Sequence, residues 1–278
     1  MLDCEVTPQI AYLSLRNDEQ RTPVRHAIDS RPLSLMGTGA RHEGSQMKGI
    51  LTAATFLCFM EATAMADNTA SFETDAVGAT PKGWIATSTG GGNPKWTIEQ
   101  DQTAPSKLKV VKQSGRAAYP VLLKDDISIK DGFIEIKFKA IAGSEDRAAG
   151  LVWRARDANN YYVVRANALE DNVVLYKTVG GVRSPLDIVG RSGGYGVDVS
   201  VPPNQWLALR VDFKGNRFRV LYNGKQLFEV EDSTFSDAGK VGLWTKADSV
   251  TLFDEINYKR NEIDQLTCLG PACGSTHL

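Results

Sequence analysis

Short segments of alternating apolar and polar residues, separated by turn residues, dominate the chain from Lys107 to Lys259. Such alternation is typical of β-strands, because successive side chains of a strand point to opposite faces. The strongest turn signal is Asn223-Gly224, since both residues of a two-residue hairpin turn of this kind must adopt positive φ. No segment of useful length has helical periodicity. The pattern predicts an all-β protein, an antiparallel β-sandwich.

The charge balance argues against a nucleic-acid ligand. The 278 residues include 32 Lys and Arg and 33 Asp and Glu, giving a net charge of -1. A nucleic-acid-binding protein needs a basic face that neutralises phosphates. The chain has three His and four Cys, so a zinc site or a catalytic dyad built on histidine is hard to assemble.

Residues 47–66 have the features of a secretory signal peptide. A lysine precedes an apolar, uncharged run over residues 49–60, and Ala64–Ala66 forms a small-residue cleavage site, with the cut predicted after Ala66. This apolar run is too short to span a membrane. The alternative to a signal peptide is that the run forms a buried helix of the folded domain. We expect the protein to be periplasmic or secreted. We expect residues 1–46 to be either an extension that results from a wrongly assigned start of the gene or a genuine but disordered extension.

The mature chain is expected to contain a single domain. Residues 67–259 are predicted to form the sandwich, with loops and an edge strand over residues 67–106, which are rich in Gly, Pro, Ser and Thr. Residues 260–278 have the composition of a polar tail. In an oxidising compartment, Cys268 and Cys273 of this tail are expected to form a small local disulfide.

The two faces of the central strands differ in composition if the turns at Asp157–Asn160 and Leu169–Asn172 are simple hairpins. This register pairs Arg154 with Val163, Arg156 with Tyr161 and Arg165 with Tyr176. One face is then apolar and faces the core; it consists of Leu151, Trp153, Ala155, Tyr162, Val164, Ala166 and Leu175. The opposite face is mixed; it consists of Val152, Arg154, Arg156, Tyr161, Val163, Arg165, Asn167, Val174 and Tyr176.

The mixed face has the composition of a sugar-binding site. Tyrosine rings stack on the apolar faces of pyranose rings, whereas arginine and asparagine donate hydrogen bonds to hydroxyls or a carboxylate. The candidate ligand contacts are Arg154, Arg165, Asn167 and Tyr176, followed by Tyr161. The alternative is a sheet face that is only solvated. If the site is real, replacing Arg165 by alanine should abolish sugar binding with little effect on the fold.

The chain resembles the concanavalin A-like, laminin-G-type sandwich, and more closely its secreted bacterial branch grouped with the 3-keto-disaccharide hydrolase domain. The resemblance spans roughly residues 70–258 and is carried by Ala148–Arg154, Asn160–Asn172, Trp206–Val211, Phe218–Lys225, Gly239–Trp244 and Trp244–Val250. It implies a jelly roll in which a concave sheet face forms the glycan cleft, and a carbohydrate ligand.

Two further clusters have possible chemical roles. The resemblance places Lys246 and Asp248 near the cleft, where they could anchor substrate or act as acid and base; the alternative is a structural ion pair. Glu170, Asp171 and Asn172 offer oxygen ligands for a Ca²⁺ ion, but three such residues at a turn are also ordinary turn chemistry. No other cofactor is evident.

The sequence argues against ordinary family 16 glycoside hydrolysis, which places its carboxylates on one strand as Glu-x-Asp. Here Glu135 is followed two residues later by Lys137. Enzymes of the 3-keto group need instead one base and an electrophile for the enolate. Asp248, Glu170 or a tyrosine could be the base. The leading hypothesis is glycan binding without turnover; the alternatives are cleavage of 3-keto-glycosides and a structural envelope protein that binds a protein partner.

Overall fold

The computed structural model describes residues 68–70 and 72–260. Three predictions concern residues outside this part of the chain and stay predictions: the extension 1–46, the leader 47–66 and the disulfide of the C-terminal tail. Within the described part of the chain, no helix is long and apolar enough to cross a membrane.

The described residues form 16 β-strands and no helix, which confirms the predicted all-β class. The strands are β1 (Asn68–Ala70), β2 (Trp84–Asn93), β3 (Trp96–Gln100), β4 (Lys109–Gln113), β5 (Arg116–Lys124), β6 (Gly132–Ala142), β7 (Ala148–Asp157), β8 (Asn160–Asn167), β9 (Asn172–Val179), β10 (Val182–Pro185), β11 (Val197–Asp198), β12 (Leu207–Lys214), β13 (Arg217–Tyr222), β14 (Lys225–Glu231), β15 (Lys240–Trp244) and β16 (Val250–Arg260).

The strands pair into two antiparallel sheets of eight strands each. In the front sheet the order is β10-β9-β8-β7-β15-β5-β2, and β11 pairs with β9. In the back sheet the order is β14-β13-β12-β6-β16-β4-β3, and β1 pairs with β16. Asn223 and Gly224 have φ of 47° and 76° in the tight turn between β13 and β14, as predicted. This architecture confirms the predicted antiparallel sandwich.

The N-terminal part of the domain contributes more strand than the predicted single edge strand. β2 lies at one edge of the front sheet, β3 lies at one edge of the back sheet, and β1 is a further short strand. The glycine-rich residues Gly90–Gly92 belong to β2, where the pairing with β5 shifts between Thr89 and Gly92. Gly90 and Gly92 have φ of 72° and 123°, a conformation that glycine adopts without strain.

A single large core fills the space between the sheets. β6 and β12 alternate buried and half-buried residues, as expected for strands with one face in the core. β7, β8 and β9 of the front sheet are buried on both faces over most of their length. The outer face of the front sheet is therefore shielded from water at its centre, and this is the mixed face identified in the sequence.

The predicted strand register is wrong, although the predicted faces largely hold. Val163 pairs with Val152 on β7 and with Tyr176 on β9, whereas Arg165 pairs with Gly150 and Val174. Two causes account for the shift. The turn between β8 and β9 consists of residues 168–171, and a bulge interrupts the pairing of β7 with β8 between Trp153 and Asp157.

The bulge begins at Arg154, which has a φ of 48°. It takes Arg154 and Arg156 out of the ladder, so neither has the partner predicted for it. Because each shift is by an even number of residues, the faces before the bulge keep their predicted composition. Ala155, which lies beyond the start of the bulge, is the exception. It packs with apolar residues of the outer face, such as Val152 and Val163, instead of with the core.

Candidate functional site

The outer face of the front sheet is strongly concave. Arg183 on β10 lies with its guanidinium 4.9 Å from the centroid of the Tyr119 ring on β5. Five inter-strand steps separate these strands in the sheet, which would place them about 24 Å apart in a flat sheet. An arginine and a tyrosine side chain cannot span that distance together. The sheet therefore curls, and the face opposite the core becomes a groove.

Three aromatic rings surround the guanidinium of Arg183 in this groove. Tyr119 and Trp244 lie nearly parallel, with centroids 5.6 Å apart and an interplanar angle of 18°. The guanidinium carbon lies 5.5 Å from the Trp244 ring and 4.2 Å from the Tyr176 ring. Aromatic faces attract a cation, so the rings hold Arg183 in place. We call Tyr119, Tyr176, Arg183 and Trp244 the aromatic platform.

The platform contains an unused hydrogen-bond donor. Nη1 of Arg183 is buried and has no hydrogen-bond partner among the residues that the structure describes. A buried donor without a partner costs free energy, on the order of 1–3 kcal/mol. Because Nη1 has almost no accessible surface, an oxygen atom of a ligand would recover that cost where the side chains that cover Nη1 move aside. The position is thus favourable for a ligand that carries hydroxyl or carbonyl oxygens.

A hydrogen-bonded network of charged side chains lies beside the platform. Lys246 forms an ion pair with Asp146, a buried carboxylate. Nδ2 of Asn167 donates to Oδ1 of Asp146 at 2.9 Å and to Oε1 of Glu170 at 2.9 Å. Arg165 donates to Oε2 of Glu170 at 2.7 Å. These five residues form the polar network, which joins the loop before β7 to the turn between β8 and β9.

Arg165 is the most heavily engaged member of the polar network. Its side chain is 1% exposed. Besides Glu170, it donates to Asn172, to the Tyr176 hydroxyl at 3.2 Å and to the Tyr195 hydroxyl at 3.0 Å, while its Nε has no partner within the described chain. Burial raises the pKa of Tyr176, so this hydroxyl stays protonated at neutral pH.

Gly150 creates the space in which Arg165 and the platform meet. It lies between Arg165 on β8 and Trp244 on β15 in the ladder. A Cβ at this position would lie 3.1 Å from the Trp244 ring and 2.9 Å from the carbonyl oxygen of Val164. The absence of a side chain therefore lets the indole and the guanidinium pack over the middle of the sheet.

Glu170 is the accessible carboxylate of the network, with 36% of its side chain exposed. Burial acts to raise its pKa, but the charge and hydrogen bonds of Arg165 and the amide of Asn172 outweigh burial and lower the pKa below its usual range. Glu170 is therefore ionised at neutral pH. It can accept hydrogen bonds from hydroxyls at the mouth of the groove.

The structure brings four of the five predicted ligand contacts to this face. Arg165, Asn167 and Tyr176 lie around Glu170, as described above. Tyr161 lies beneath the platform and is fully buried; its hydroxyl bonds to Thr89 at 2.7 Å and accepts from Trp244 Nε1 at 3.3 Å. Burial raises its pKa. Tyr161 therefore supports Trp244 from below and does not face the groove.

Arg154, the fifth predicted contact, lies elsewhere. The bulge directs its side chain to the edge of the core, over the rings of Phe213 and Phe218. There its guanidinium donates to the carbonyl oxygens of residues 130, 215 and 235 at 2.7–2.9 Å and to Asp131 at 3.1 Å. Arg154 ties three loops together, and the prediction that it joins the other candidates was wrong.

Asp248 has a structural role in the loop between β15 and β16. Its carboxylate accepts hydrogen bonds from the backbone amides of residues 144–146 and from the hydroxyl of Ser144, at 2.9–3.2 Å. Although burial opposes it, this set of donors lowers the pKa of Asp248 well below its usual range. The predicted pairing with Lys246 was wrong, because Lys246 binds Asp146. By holding the loop, Asp248 positions Asp146.

The acidic turn does not gather its oxygens around one point. Oδ1 of Asp171 accepts from the backbone amide of Val201 at 2.8 Å, while the Glu170 carboxylate faces Arg165 and Asn167. No group of three or more His, Cys, Asp or Glu residues suited to a metal ion occurs in the described part of the chain. Glu170 thus takes part in the polar network, and Asp171 in a turn contact.

Sequence reasoning missed three members of the site: Tyr119, Arg183 and Asp146. The strand that carries Arg183 is short and has no clear alternation, and Tyr119 lies more than 60 residues before it. These residues meet only because the sheet curls. Trp244 belongs to two of the segments that carry the family resemblance, but no sequence pattern marks it as a ligand contact.

Comparisons with known proteins agree with this architecture. The model of the family described as "3-keto-alpha-glucoside-1,2-lyase-like domain" matches residues 68–261. The carbohydrate-binding module CBM66 from Bacillus subtilis has a similar structure, with 21% identity, a TM-score of 0.50, and coverage of 63% of this chain and 93% of the module. A Bacillus licheniformis beta-glucanase matches at 12% identity and a TM-score of 0.44, over 71% of this chain and all of the enzyme. No curated protein sequence matches the chain.

Proposed function

This chain belongs to the 3-keto-alpha-glucoside-1,2-lyase-like domain family, and from this premise we propose that the concave face of its front sheet binds carbohydrate. The observation that carries the proposal is the aromatic platform, which holds the Arg183 guanidinium with a buried, unused donor. Aromatic rings bind the apolar faces of pyranoses, and arginine binds their oxygens. Trp244 and Tyr176 are 0% and 2% exposed. The half-buried Tyr119 is therefore the platform ring that a sugar can reach, beside the half-buried Arg183. CBM66, whose fold is similar, is named as a carbohydrate-binding module.

The polar network supplies the remaining contacts of the proposed site. Glu170 and Lys246 are partly exposed, with 36% and 30% of their side chains accessible, and Tyr195 stands at the edge with 45% exposure. These groups offer an acceptor, a cation and a hydroxyl in one groove. A sugar that stacks against the half-buried ring of Tyr119 would find hydrogen-bonding partners for its hydroxyls among these groups.

The experiment is a calorimetric titration of wild type and Arg183→Ala with maltose, methyl α-glucoside and the 3-keto forms of both. We expect Arg183→Ala to weaken binding by roughly 10- to 100-fold, which corresponds to one lost hydrogen bond from a charged group. Arg156→Ala is the matched control, because Arg156 is an exposed arginine of the same sheet outside the groove. Equal affinities of Arg183→Ala and wild type would overturn the proposal.

A second candidate function, favoured by the family match, is elimination at a 3-keto-α-glucoside. The C3 ketone makes the C2 proton acidic. A base removes that proton, the electron pair forms an enolate, and expulsion of the C1 oxygen substituent, which takes up a proton, leaves a C1–C2 double bond. Lys246 and Arg183 could stabilise the enolate oxygen. Glu170 is the accessible carboxylate, but its lowered pKa makes it a weak base.

Product analysis on the titrated samples separates the two functions. Consumption of the 3-keto sugars, with the native sugars unchanged, would support elimination. Saturable binding with all sugars recovered intact would support binding alone. Saturable binding of no sugar would favour a protein partner at the same face.

We also propose that the protein is exported, because residues 47–66 have the pattern of a cleavable leader. N-terminal sequencing of the protein from its native source tests this: a first residue of Asp67 would support export, and a retained Met1 would overturn it.

A further inference from the structure

A loop of ten residues, 187–196, leaves and rejoins the edge of the front sheet beside β9. The backbone amide of Leu186 donates to the carbonyl oxygen of Leu175 at 3.0 Å where the loop begins, and Val197 pairs with Val173 where it ends. Leu175 and Val173 are two residues apart on one strand, so the two ends of the loop lie close together. A compact surface loop with adjoining ends is an Ω-loop, a class that is frequently functional.

The second half of this loop is held only at its ends. Before it, Ile188 forms a bridge with Val230 on β14 of the back sheet. Residues 190–195 are all exposed, and the chain is buried again at Gly196. We call residues 190–196 the strap. Its two ends are fixed to the body of the domain, and the chain between them lies at the surface.

The backbone of the strap can change conformation at low steric cost. Gly190 and Gly193 have φ of 78° and 70°, in the left-handed region that glycine adopts without strain. A Cβ at either position would meet no atom of the described chain within 4 Å, apart from the adjacent residues. No neighbouring element therefore restrains the backbone there, and Gly190 is placed where a hinge is needed, next to the fixed first half of the loop.

Tyr195 connects the strap to the concave face. Its hydroxyl bonds to the Tyr176 hydroxyl and accepts a hydrogen bond from Arg165 at 3.0 Å. Its ring stands edge-on to the Tyr176 ring, with centroids 6.0 Å apart and an interplanar angle of 70°. Tyr195 is 45% exposed, whereas Tyr176 is 2% exposed. The tyrosine of the strap thus covers a tyrosine of the aromatic platform.

Opening of the strap would break few contacts. It removes the two hydrogen bonds of the Tyr195 hydroxyl and the ring contact, whereas Arg165 keeps its bonds to Glu170 and Asn172. A hydrogen bond at a half-exposed hydroxyl contributes little net free energy, because water replaces the lost partner. An open state that differs so little from the closed state is expected to be populated at roughly 0.1–10%.

We infer that the strap is a lid over the concave face and that the Tyr195 hydroxyl is its latch. When the lid opens, the ring and hydroxyl of Tyr176 become accessible beside the guanidinium of Arg183, which lies 4.2 Å from that ring. The lid thus controls access to a part of the aromatic platform that is buried in the closed state. The inference goes beyond the proposed function, because it concerns access to the face whatever ligand binds there.

Nitration of tyrosine rings by tetranitromethane, measured for each residue by mass spectrometry at low extents of reaction, tests the lid without any ligand. The comparison is between Tyr176 and Tyr162, which are 2% and 0% exposed. Tyr162 lies in the core between the sheets, so it reacts only through unfolding. Because local opening costs less free energy than unfolding, we expect Tyr176 to react at least about tenfold faster than Tyr162 in wild type.

Tyr195→Phe distinguishes a latch from a fixed cover, because it keeps the ring and removes both hydroxyl bonds. We expect nitration of Tyr176 to become about tenfold faster in this variant, the effect of one lost hydrogen bond, with Tyr162 unchanged. Tyr222→Phe is the matched control, because it removes a tyrosine hydroxyl bond to the carbonyl oxygen of Ser200 at 3.0 Å, away from the latch. The control should leave the rate at Tyr176 as it is in wild type.

Three results would overturn the inference. The first is equal nitration of Tyr176 and Tyr162 in wild type, a comparison that requires no variant to fold. The second is an unchanged rate at Tyr176 in Tyr195→Phe, which would show that the hydroxyl is not a latch. The third is a common increase at Tyr176 and Tyr162, which would mean exposure by unfolding. Because no sugar is present, failure of the proposed carbohydrate binding leaves this test unaffected.

Discussion

Replacement of Arg165 by alanine should damage the fold as much as it damages any ligand site. The side chain is 1% exposed, and its terminal nitrogens bond to Glu170, Asn172, Tyr176 and Tyr195. Removing one partner of a buried ion pair costs about 3–5 kcal/mol. Because the Glu170 side chain is partly exposed and water can reach it, we take the lower end, about 3 kcal/mol. For a domain of this size, that loss lowers the Tm by roughly 6–12 °C.

Thermal and urea unfolding of the purified protein measure this effect, with Arg156→Ala as the control. Arg156 is 52% exposed, and its contacts are with an exposed aspartate at 3.4 Å and with the Phe235 ring at 5.2 Å. Its loss should therefore change stability by no more than about 1 kcal/mol. Arg165→Lys should fall between the two, because an ammonium keeps the charge but cannot bond to partners on both sides as the guanidinium does. A Tm for Arg165→Ala within error of the control would refute the reasoning. The sequence-based expectation of little effect on the fold would then be right.

Two further predictions concern the fold. Gly239→Ala should destabilise the protein by about 1–3 kcal/mol, because a Cβ at this position would lie 2.4 Å from the carbonyl carbon of Arg154 and the bulge would have to move; an unchanged Tm would contradict this. Stability should also fall as the pH drops from about 4 to about 2. Burial opposes it, but hydrogen bonds from Lys177 and Tyr162 help lower the pKa of Asp232 to about 2, so the folded state keeps this carboxylate ionised below the pKa of the unfolded chain. This carboxylate contributes on the order of 2 kcal/mol to stability above about pH 4, and the contribution should vanish in Asp232→Asn. The measurement is the unfolding free energy of wild type and variant at pH 7 and at pH 2.5. The difference between the two proteins should be smaller at pH 2.5.

The sequence predicts the sandwich well because the information is local. Alternation within each segment defines its inner face, and Asn223-Gly224 defines a turn, without reference to distant residues. The register around Arg154 could not be predicted in the same way. Its φ of 48° and the bulge depend on the close approach of Gly239, which lies just before β15 and more than 80 residues further along the chain. The irregular backbone conformation of Arg154 itself is enough to separate its side chain from the other candidate ligand contacts.

The composition of the outer face was predictable, whereas the roles of its arginines were not. Period 2 places Arg165 on that face, but Arg183 reaches it only through the curvature of the whole sheet. Curvature arises from the twist of many strands and from bulges, and neither feature is visible as a short pattern. Sequence reasoning therefore identified Arg165 in the polar network and missed Arg183 in the aromatic platform.

The difference between these two arginines decides which one contacts a ligand. Both terminal nitrogens of Arg165 are committed to neighbouring side chains, and its side chain has almost no surface to offer. Arg183 is half-buried and held by rings on its faces, and its buried Nη1 has no hydrogen-bond partner among the residues that the structure describes. A ligand gains most from a donor that is already positioned and not yet bonded. Loss of Arg165 should thus lower chiefly the free energy of unfolding, and loss of Arg183 should lower chiefly the affinity for ligand. If instead Arg165→Ala affects chiefly affinity and Arg183→Ala chiefly stability, the groove is organised around Arg165 and the platform is only structural.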